Sequence, residues 1–354
     1  MTKYSTCLIF RLWYIFSDLV RDALSGHFNS VQDRRLQTLV KSLPDVLAES
    51  KAKNTQKKYR RGFESWKKWA SNFPEVTILP ASYVYVCLFL LSLIQDGVSC
   101  SIIDEVHYGL KWFHKIAGYE DPCNAAIVLS TLEAAKRLLS TPVHKKEAVT
   151  PEIIQLLFEK FGKPSANLSD LRVLLLSVLC YAGFLRFSEM VNLRRHDFHF
   201  EDTFMRVFIE RSKTDIYRNG AWVVIANTAK STCPVRLTLR YFDSGQFPPE
   251  SNQFLFRPLK FLSKTGVYEF RNLSQLSYTR AREIVLSAFD SIGLPKQDYG
   301  LHSFRAGGAS AAANANIGDR LFKRHGRWRS EKAKDGYVKD NIDSLLSVSR
   351  SLGI

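Results

Sequence analysis

Apolar positions recur along much of this chain at three- and four-residue steps, and the first clear example is made of rings. Tyr59, Phe63, Trp66 and Trp69 fall on one face of a segment that Thr55 can cap and that runs through Lys57–Trp69, the spacing of an amphipathic helix with a buried aromatic stripe. The same periodicity predicts helices over about 79–95, 99–117 and 124–139, separated by Gly97 and by Gly118–Pro122. Every recognisable segment from about Arg35 to Ser140 is therefore helical. Thr141–Val149 has no apolar stripe and carries two adjacent lysines, so it reads as a linker. Thr150-Pro151-Glu152 then offers a cap, a first-turn proline and a first-turn acid for the next helix. Leu171–Gly183 is a buried-looking helix ending in glycine. Beyond it the pattern shortens to strict alternation. Phe204–Ile209 reads as a strand, Ala221–Ile225 as its return partner and Tyr217–Gly220 as the turn between them. Ile342, Leu345, Leu346 and Leu352 mark an amphipathic tail helix.

With 354 residues the chain exceeds what one hydrophobic core usually organises, which predicts two domains. The pattern divides it into an N-terminal arm (1–35), a helical domain (36–140), a linker (141–149) and a second domain (150–354) whose tail helix is 341–354. The most apolar runs, Tyr83–Ile94 and Val173–Leu185, fall short of the ~20 residues that span a bilayer, so no membrane partner is expected. Cys7–Phe16 resembles a signal core, but Arg11 interrupts it and no small-residue cleavage site follows. It reads as an uncleaved arm.

Composition narrows the partner. Lys and Arg number 50 against 34 Asp and Glu, a net charge of +16. Both parts share it, +6 over residues 1–150 and +10 over 151–354. Such a balance draws a polyanion, because displacing counterions from phosphates drives binding, but it does not by itself separate DNA from RNA or an anionic membrane surface. Eight cations, Lys51, Lys53, Lys57, Lys58, Arg60, Arg61, Lys67 and Lys68, crowd 18 residues in which Glu64 is the only acid. That face is either a nucleic-acid contact or simply solvated. The cysteines at 7, 87, 100, 123, 180 and 233 show no Cys-x-x-Cys spacing, so neither zinc nor a disulfide framework is expected and a reducing compartment fits. His196 and His199 are three apart, but polar surroundings suggest an exposed loop rather than a metal site. The chain also lacks a phosphate-binding glycine loop, His-Glu-x-x-His and Gly-x-Ser-x-Gly. No cofactor is expected.

The second domain carries an ordered set of polar residues. Arg186 and Glu189 lie in Gly183-Phe-Leu-Arg186-Phe-Ser-Glu189, Lys213 in Arg211-Ser-Lys213-Thr-Asp215, His302 and Arg305 in His302-Ser-Phe-Arg305, with Trp328 and Tyr337 beyond. Each has a bland reading alone: Arg186 as the polar start of a helix, Glu189 as its ion-pair partner, Lys213 as a solvated hairpin charge, Tyr337 as one of 14 tyrosines. Together they suit phosphoryl transfer. A tyrosine hydroxyl can stay bonded to phosphorus and so conserve the energy of a broken phosphodiester. Its free pKa near ~10 means that a base must take its proton as it attacks. Two guanidiniums can each meet two phosphoryl oxygens as charge builds. A hairpin lysine can protonate the departing sugar oxygen, and an indole N–H donates without accepting.

In residue type, order and spacing this set resembles the tyrosine recombinase (phage integrase) family, over about residues 40–354 and most strongly after 183. The resemblance implies a mainly α, two-domain fold, with an all-helical SAM-like N-terminal DNA-binding domain and an α+β catalytic domain containing a small antiparallel β-sheet. It implies catalytic roles for Arg186, Lys213, His302, Arg305, Trp328 and Tyr337, with Lys213 as general acid and His302 as base or phosphate donor. Glu189 and His325 would support them. His325 and Trp328 are both residue types found at the family's third conserved position, and the nine-position step from Trp328 to Tyr337 matches the family's usual spacing, so Trp328 takes the role. Lys57, Lys58, Arg60, Arg61, Lys67 and Lys68 would clamp double-stranded DNA.

The implied activity is site-specific recombination or integration through a 3′-phosphotyrosyl link, without metal or ATP. A homotetramer would form on paired sites from a chain monomeric in free solution. A mobile-element origin is implied, in the nucleus of a eukaryotic host or otherwise the cytoplasm. Two alternatives share the residues: a type IB topoisomerase that relaxes DNA without pairing sites, and a domesticated DNA-binding protein that no longer cuts.

Overall fold

The structure, a computed structural model, describes residues 28, 31–142, 144–213, 215 and 217–353. Most of the 1–35 arm, including Cys7–Phe16, lies outside the described residues. The chain divides into two compact units after residue 143. The division falls within the segment read as a linker. Its second half is folded onto unit two, where the Glu147 and Val149 N–H groups donate to the carbonyls of Asp298 (2.6 Å) and Ser303 (3.0 Å).

Unit one is helical throughout its described part: α1 (Arg34–Ala48), α2 (Lys53–Ala70), α3 (Tyr83–Gln95), α4 (Cys100–Ile116) and α5 (Ala126–Leu139), with a 3-10 turn at Pro122–Asn124. The aromatic stripe of α2 is its core face. Phe63 stacks on Phe113 of α4 at 4.1 Å between ring centres, and the Trp66 indole N–H, buried, donates to the Ile78 carbonyl at 2.9 Å. Burying rings this large supplies several kcal/mol per side chain, on the order of 25 cal/mol per Å² of apolar surface. The helix opens earlier than its sequence suggests. Ala52 rather than Thr55 stands at the N-cap, because Thr55 and Gln56 already donate back to the Ala52 carbonyl.

Unit two is built around one helix. Its elements are α6 (Pro151–Phe161), α7 (Leu168–Ala182), α8 (Phe187–Met190), a 3-10 turn (Arg195–Asp197), β1 (Phe198–Phe200), β2 (Phe204–Ile209), β3 (Ala221–Ala226), α9 (Pro234–Ser244), β4 (Leu259–Leu262), β5 (Val267–Phe270), α10 (Tyr278–Ser291), α11 (Leu301–Asn314), α12 (Asp319–Gly326), α13 (Glu331–Asp335) and α14 (Ile342–Arg350). Helix α7 is buried along Leu171–Cys180, with α6, α9, α10 and α11 packed around it. A helix apolar on all sides belongs at the centre of a core. Asn167 and Asp170 cap its start reciprocally.

Strands β1, β2 and β3 form one antiparallel sheet in that order, with Phe204 opposite Ala226 and Ile209 opposite Ala221. Met205, Val207 and Ile209 face inward, as the alternation requires. The expectation of a single small sheet is too low. β4 and β5 form a second hairpin, with Leu259 opposite Phe270. Leu259, Tyr268 and Phe270 pack against the core, but strands of four residues with no fully buried position are too short and too shallowly buried to mark a clear alternation in the sequence. Among the described residues no helix is long and apolar enough to cross a membrane.

Candidate active site

The site begins where α7 gives way to α8. Phe184 takes left-handed backbone (φ 47°), and Arg186 becomes the N-cap residue of α8. Glu189 closes this turn from three residues on. It accepts from the Arg186 backbone N–H at 2.9 Å and from the Arg186 guanidinium at 2.6 Å. Its carboxylate is fully buried, with Arg327 donating to Oε2 at 2.8 Å and the Arg305 guanidinium paired with it at 3.7 Å. Burial alone would raise the Glu189 pKa. The Arg327 charge, the Arg186 N–H and then the Arg186 and Arg305 charges outweigh it and hold the group below the usual carboxylate range. One ionised carboxylate therefore sits among three guanidiniums, an excess of positive charge suited to an oxyanion.

Helix α11 supplies the second wall. His302 and Arg305 are one turn apart, His302 exposed near the N-terminus and Arg305 wholly buried. Arg305 donates to the Phe184 carbonyl and, at 2.7 Å, to that of Gly326, bridging the α7–α8 turn to the end of α12. Burial, followed by the charge of Arg186, pushes its pKa down to about 10, which leaves it cationic at neutral pH. Partial desolvation on the side of the His302 ring that faces the protein, then the charges of Arg305 and Arg186, lower its pKa from the usual imidazole value. It is therefore neutral at pH 7 and able to accept a proton.

The third wall is the segment after α12. Gly326 has no room for a side chain, since a Cβ there would lie 1.9 Å from the Trp328 ring. Trp328 is buried, and its Nε1 has no hydrogen-bond partner among the described residues. Tyr337 packs beside it at 5.8 Å between ring centres. The Arg305 guanidinium carbon lies 4.9 Å from the Trp328 ring centre and 4.8 Å from that of Tyr337. The tyrosine segment is held by the far end of α11. Ser310 Oγ donates to the Tyr337 carbonyl at 3.4 Å and accepts from the Lys339 N–H at 2.8 Å. The Asn314 side chain bonds both the Lys339 carbonyl (3.3 Å) and the Asn341 N–H (3.2 Å).

Lys213 lies exposed in the loop between β2 and β3, close enough for its charge to act on His302. The Asp215 carboxylate accepts from the backbone N–H groups of Asn219 (3.1 Å) and Gly220 (2.8 Å), closing that loop. A cavity of about 300 Å³ separates it from α12 and the following segment, with Ser212 and Asp215 on one side and Lys323, Arg324, Arg327 and Trp328 on the other.

The structure thus gathers Arg186, Glu189, His302, Arg305, Trp328 and Tyr337, with Lys213 at the rim. His325, expected in a supporting role, makes a backbone contact. Its Nε2 bonds the Ala182 carbonyl at 2.8 Å and its ring lies edge-on to Phe184 at 4.6 Å, so it ties α12 to the end of α7. The basic face of α2 is less free than its sequence suggests. Arg60 pairs with Glu64 at 2.8 Å, while Arg61 and Lys58 pair with Glu105 of α4 at 2.7 and 3.6 Å. Lys57, Lys67 and Lys68 are exposed. His196 and His199 do not share a loop. His196 is in the 3-10 turn beside Asp197 (3.4 Å), and His199, on β1, packs edge-on against Trp222. Arg327, Ser310 and Asn314 were not legible as site residues. Adjacency to Trp328 was the one available signal for Arg327.

Arg305 buried and Arg186 half-buried, a neutral histidine, an unpaired indole N–H and a phenol lie on neighbouring elements of a mainly helical scaffold, an arrangement suited to phosphoryl transfer. No family model matches the chain. It is 28% identical over 297 residues, 83% of both chains, to an integrase/recombinase XerD homologue of Selenomonas ruminantium. Its fold matches the XerH site-specific recombinase, solved bound to palindromic difH substrate as a post-cleavage complex, with a TM-score of 0.62 at 14% identity over 96% of this chain and 95% of that one. It also matches the Tn1549 transposon integrase, solved with circular intermediate DNA, with a TM-score of 0.50 at 13% identity over 94% and 98%. These likenesses are to site-specific recombinases and integrases, the family that the ordered site residues resemble.

Proposed function

We propose that the chain is a site-specific DNA recombinase or integrase that cleaves and rejoins strands through a 3′-phosphotyrosyl intermediate at Tyr337. The observation that carries this reading is the packing of Tyr337 against both Arg305 and Trp328, which puts the phenol beside the groups suited to hold a phosphate. Arg186 and Arg305 neutralise the non-bridging oxygens, where one preorganised donor is typically worth ~3 kcal/mol. His302 takes the phenolic proton or donates to the phosphate, and the Trp328 N–H donates to a phosphate oxygen. Lys213 protonates the leaving 5′ oxygen. The scheme draws on no metal or nucleotide.

Residues 36–140 clamp the duplex with Lys57, Lys67 and Lys68 foremost, assisted by Lys58, Arg60 and Arg61, and residues 150–354 form the catalytic domain. Four copies assemble on two paired sites from monomers in free solution. The apolar face of α14 reaches the neighbouring copy, an assignment supported by its exposure. The work is done wherever the target DNA resides, the cytoplasm in a bacterial host like that of the XerD homologue and the nucleus in a eukaryotic one. A mobile-element role is supported by the likeness to a transposon integrase. No observation favours the topoisomerase or silent DNA-binding readings over this one.

A nicked duplex that traps the cleaved intermediate tests the assignment. The protein should form a covalent adduct with the 3′ end of the cut strand, and Tyr337→Phe should bind the same duplex without forming it. An adduct that persists in Tyr337→Phe would show that another residue is the nucleophile.

A further inference from the structure

Arg327 has an unusual backbone and an unusual set of partners. It follows Gly326 at the end of α12 in left-handed conformation, φ 56° and ψ 37°, which disfavours a residue with a Cβ and which glycine adopts freely. Its side chain is 8% exposed. The guanidinium turns inward, donating to the carbonyls of His325 (2.8 Å), Phe184 (3.1 Å) and Gly183 (3.2 Å) and to Glu189 Oε2 (2.8 Å). A bare helix terminus needs none of these bonds. They reach from the segment carrying Trp328 to the turn presenting Arg186, and they end on the carboxylate that orients Arg186.

We propose that Arg327 is a positioning residue of the strand-transfer site. It locks Glu189 and the Gly183–Phe184 turn to the end of α12, so that Arg186, Arg305 and Trp328 face one phosphate in a fixed geometry. The assignment rests on the recombinase reading and adds a residue to it. With its bonds spent on the protein, Arg327 acts through Glu189 and Arg186 rather than on the phosphate. Arg186 sits closest to the consequence, because without Arg327 its carboxylate partner loses the counter-charge that keeps it ionised in a buried place.

The test compares wild type with Arg327→Gly and Arg327→Met in the trapping assay on the nicked duplex, with duplex affinity and thermal melting measured alongside. Glycine removes the guanidinium while relieving the backbone, and methionine keeps apolar bulk without charge. Both should form adduct slower by roughly 10²-fold, the scale of a misplaced reacting group, while duplex affinity stays within about two-fold and melting remains cooperative. The pH–rate profile gives the readout that a purely structural role would leave alone. Measured in a His302→Gln background, which removes the His302 inflection, the remaining acid limb set by Glu189 protonation should move to higher pH in both variants, and Arg327→Lys should recover part of the rate and of the shift.

Wild-type rates and an unmoved acid limb in either folded variant would overturn the assignment. So would loss of cooperative melting in both, which would make Arg327 a fold residue. If wild type itself gives no adduct, the recombinase reading fails and this assignment falls with it.

Discussion

At the residue scale, His302 gives a direct test in pH. Its pKa is held down by the surrounding protein and by Arg305 and Arg186, so the neutral form persists below the usual imidazole value near ~6.5. Protonation removes its ability to accept the phenolic proton. Adduct formation limited by His302 should therefore hold through neutral pH and decline on acidification, with a midpoint below ~6.5, and His302→Gln should abolish that inflection. The same depression has a sign for stability. The unfolded chain binds a proton at His302 before the folded one does, so acidification through this range favours unfolding. Arg186→Ala and Arg305→Ala should each slow adduct formation by ~10²–10³-fold. Only Arg305→Ala should also lower the melting temperature markedly, since it alone bridges the carbonyls of Phe184 and Gly326 from a fully buried position. The residues named by type and spacing were legible because phosphoryl transfer limits which side chains can serve. Arg327 was not, because its role comes from a left-handed backbone and a 138-residue reach to Glu189 that no local pattern encodes.

Among the elements, α11 does the most organising. It presents His302 and Arg305 near one end, and near the other Ser310 and Asn314 grip the tyrosine segment. It comes close to its neighbours through paired glycines. A Cβ on Gly307 would lie 1.9 Å from the Val149 carbonyl oxygen, and one on Gly308 would lie 2.0 Å from that of Tyr181. Gly308→Ala should push α11 off α7, destabilising by ~1–3 kcal/mol and slowing adduct formation, whereas substitution at open Gly300 should leave both nearly unchanged. Denaturant melts of the two variants separate these outcomes. The helices named from the sequence and the first hairpin were legible because burial leaves an apolar period, or in α7 an apolar run, whereas α9 to α13 were not singled out. The β4–β5 hairpin, with four-residue strands and no fully buried position, carried too short a pattern, and the true start of α2 depended on backbone bonds to Ala52 rather than on a capping side chain.

For the whole molecule, the +16 charge predicts duplex affinity that drops by about 10³-fold or more between ~50 and ~200 mM salt if six or more phosphates are neutralised. A flat salt response, measured by titration, would contradict a phosphate-led interface. The tail predicts a separate loss. Ile342, Leu345 and Val348 of α14 are 66%, 55% and 66% exposed, so removing 341–354 should weaken the pairing of two sites while single-site binding persists. Native gels with one and two sites would show the difference, and unchanged pairing would rule out a role for the tail between copies. Just upstream, Lys339 carries an ion pair to Glu147 at 2.6 Å, while Ser310 and Asn314 fasten the same stretch to α11. The tail is thus a tether clamped only a few residues from Tyr337, the proposed nucleophile: any load that a partner placed on it would first strain those fastenings, so the stiffness of a few short bonds would set how far assembly could nudge the phenol in or out of line.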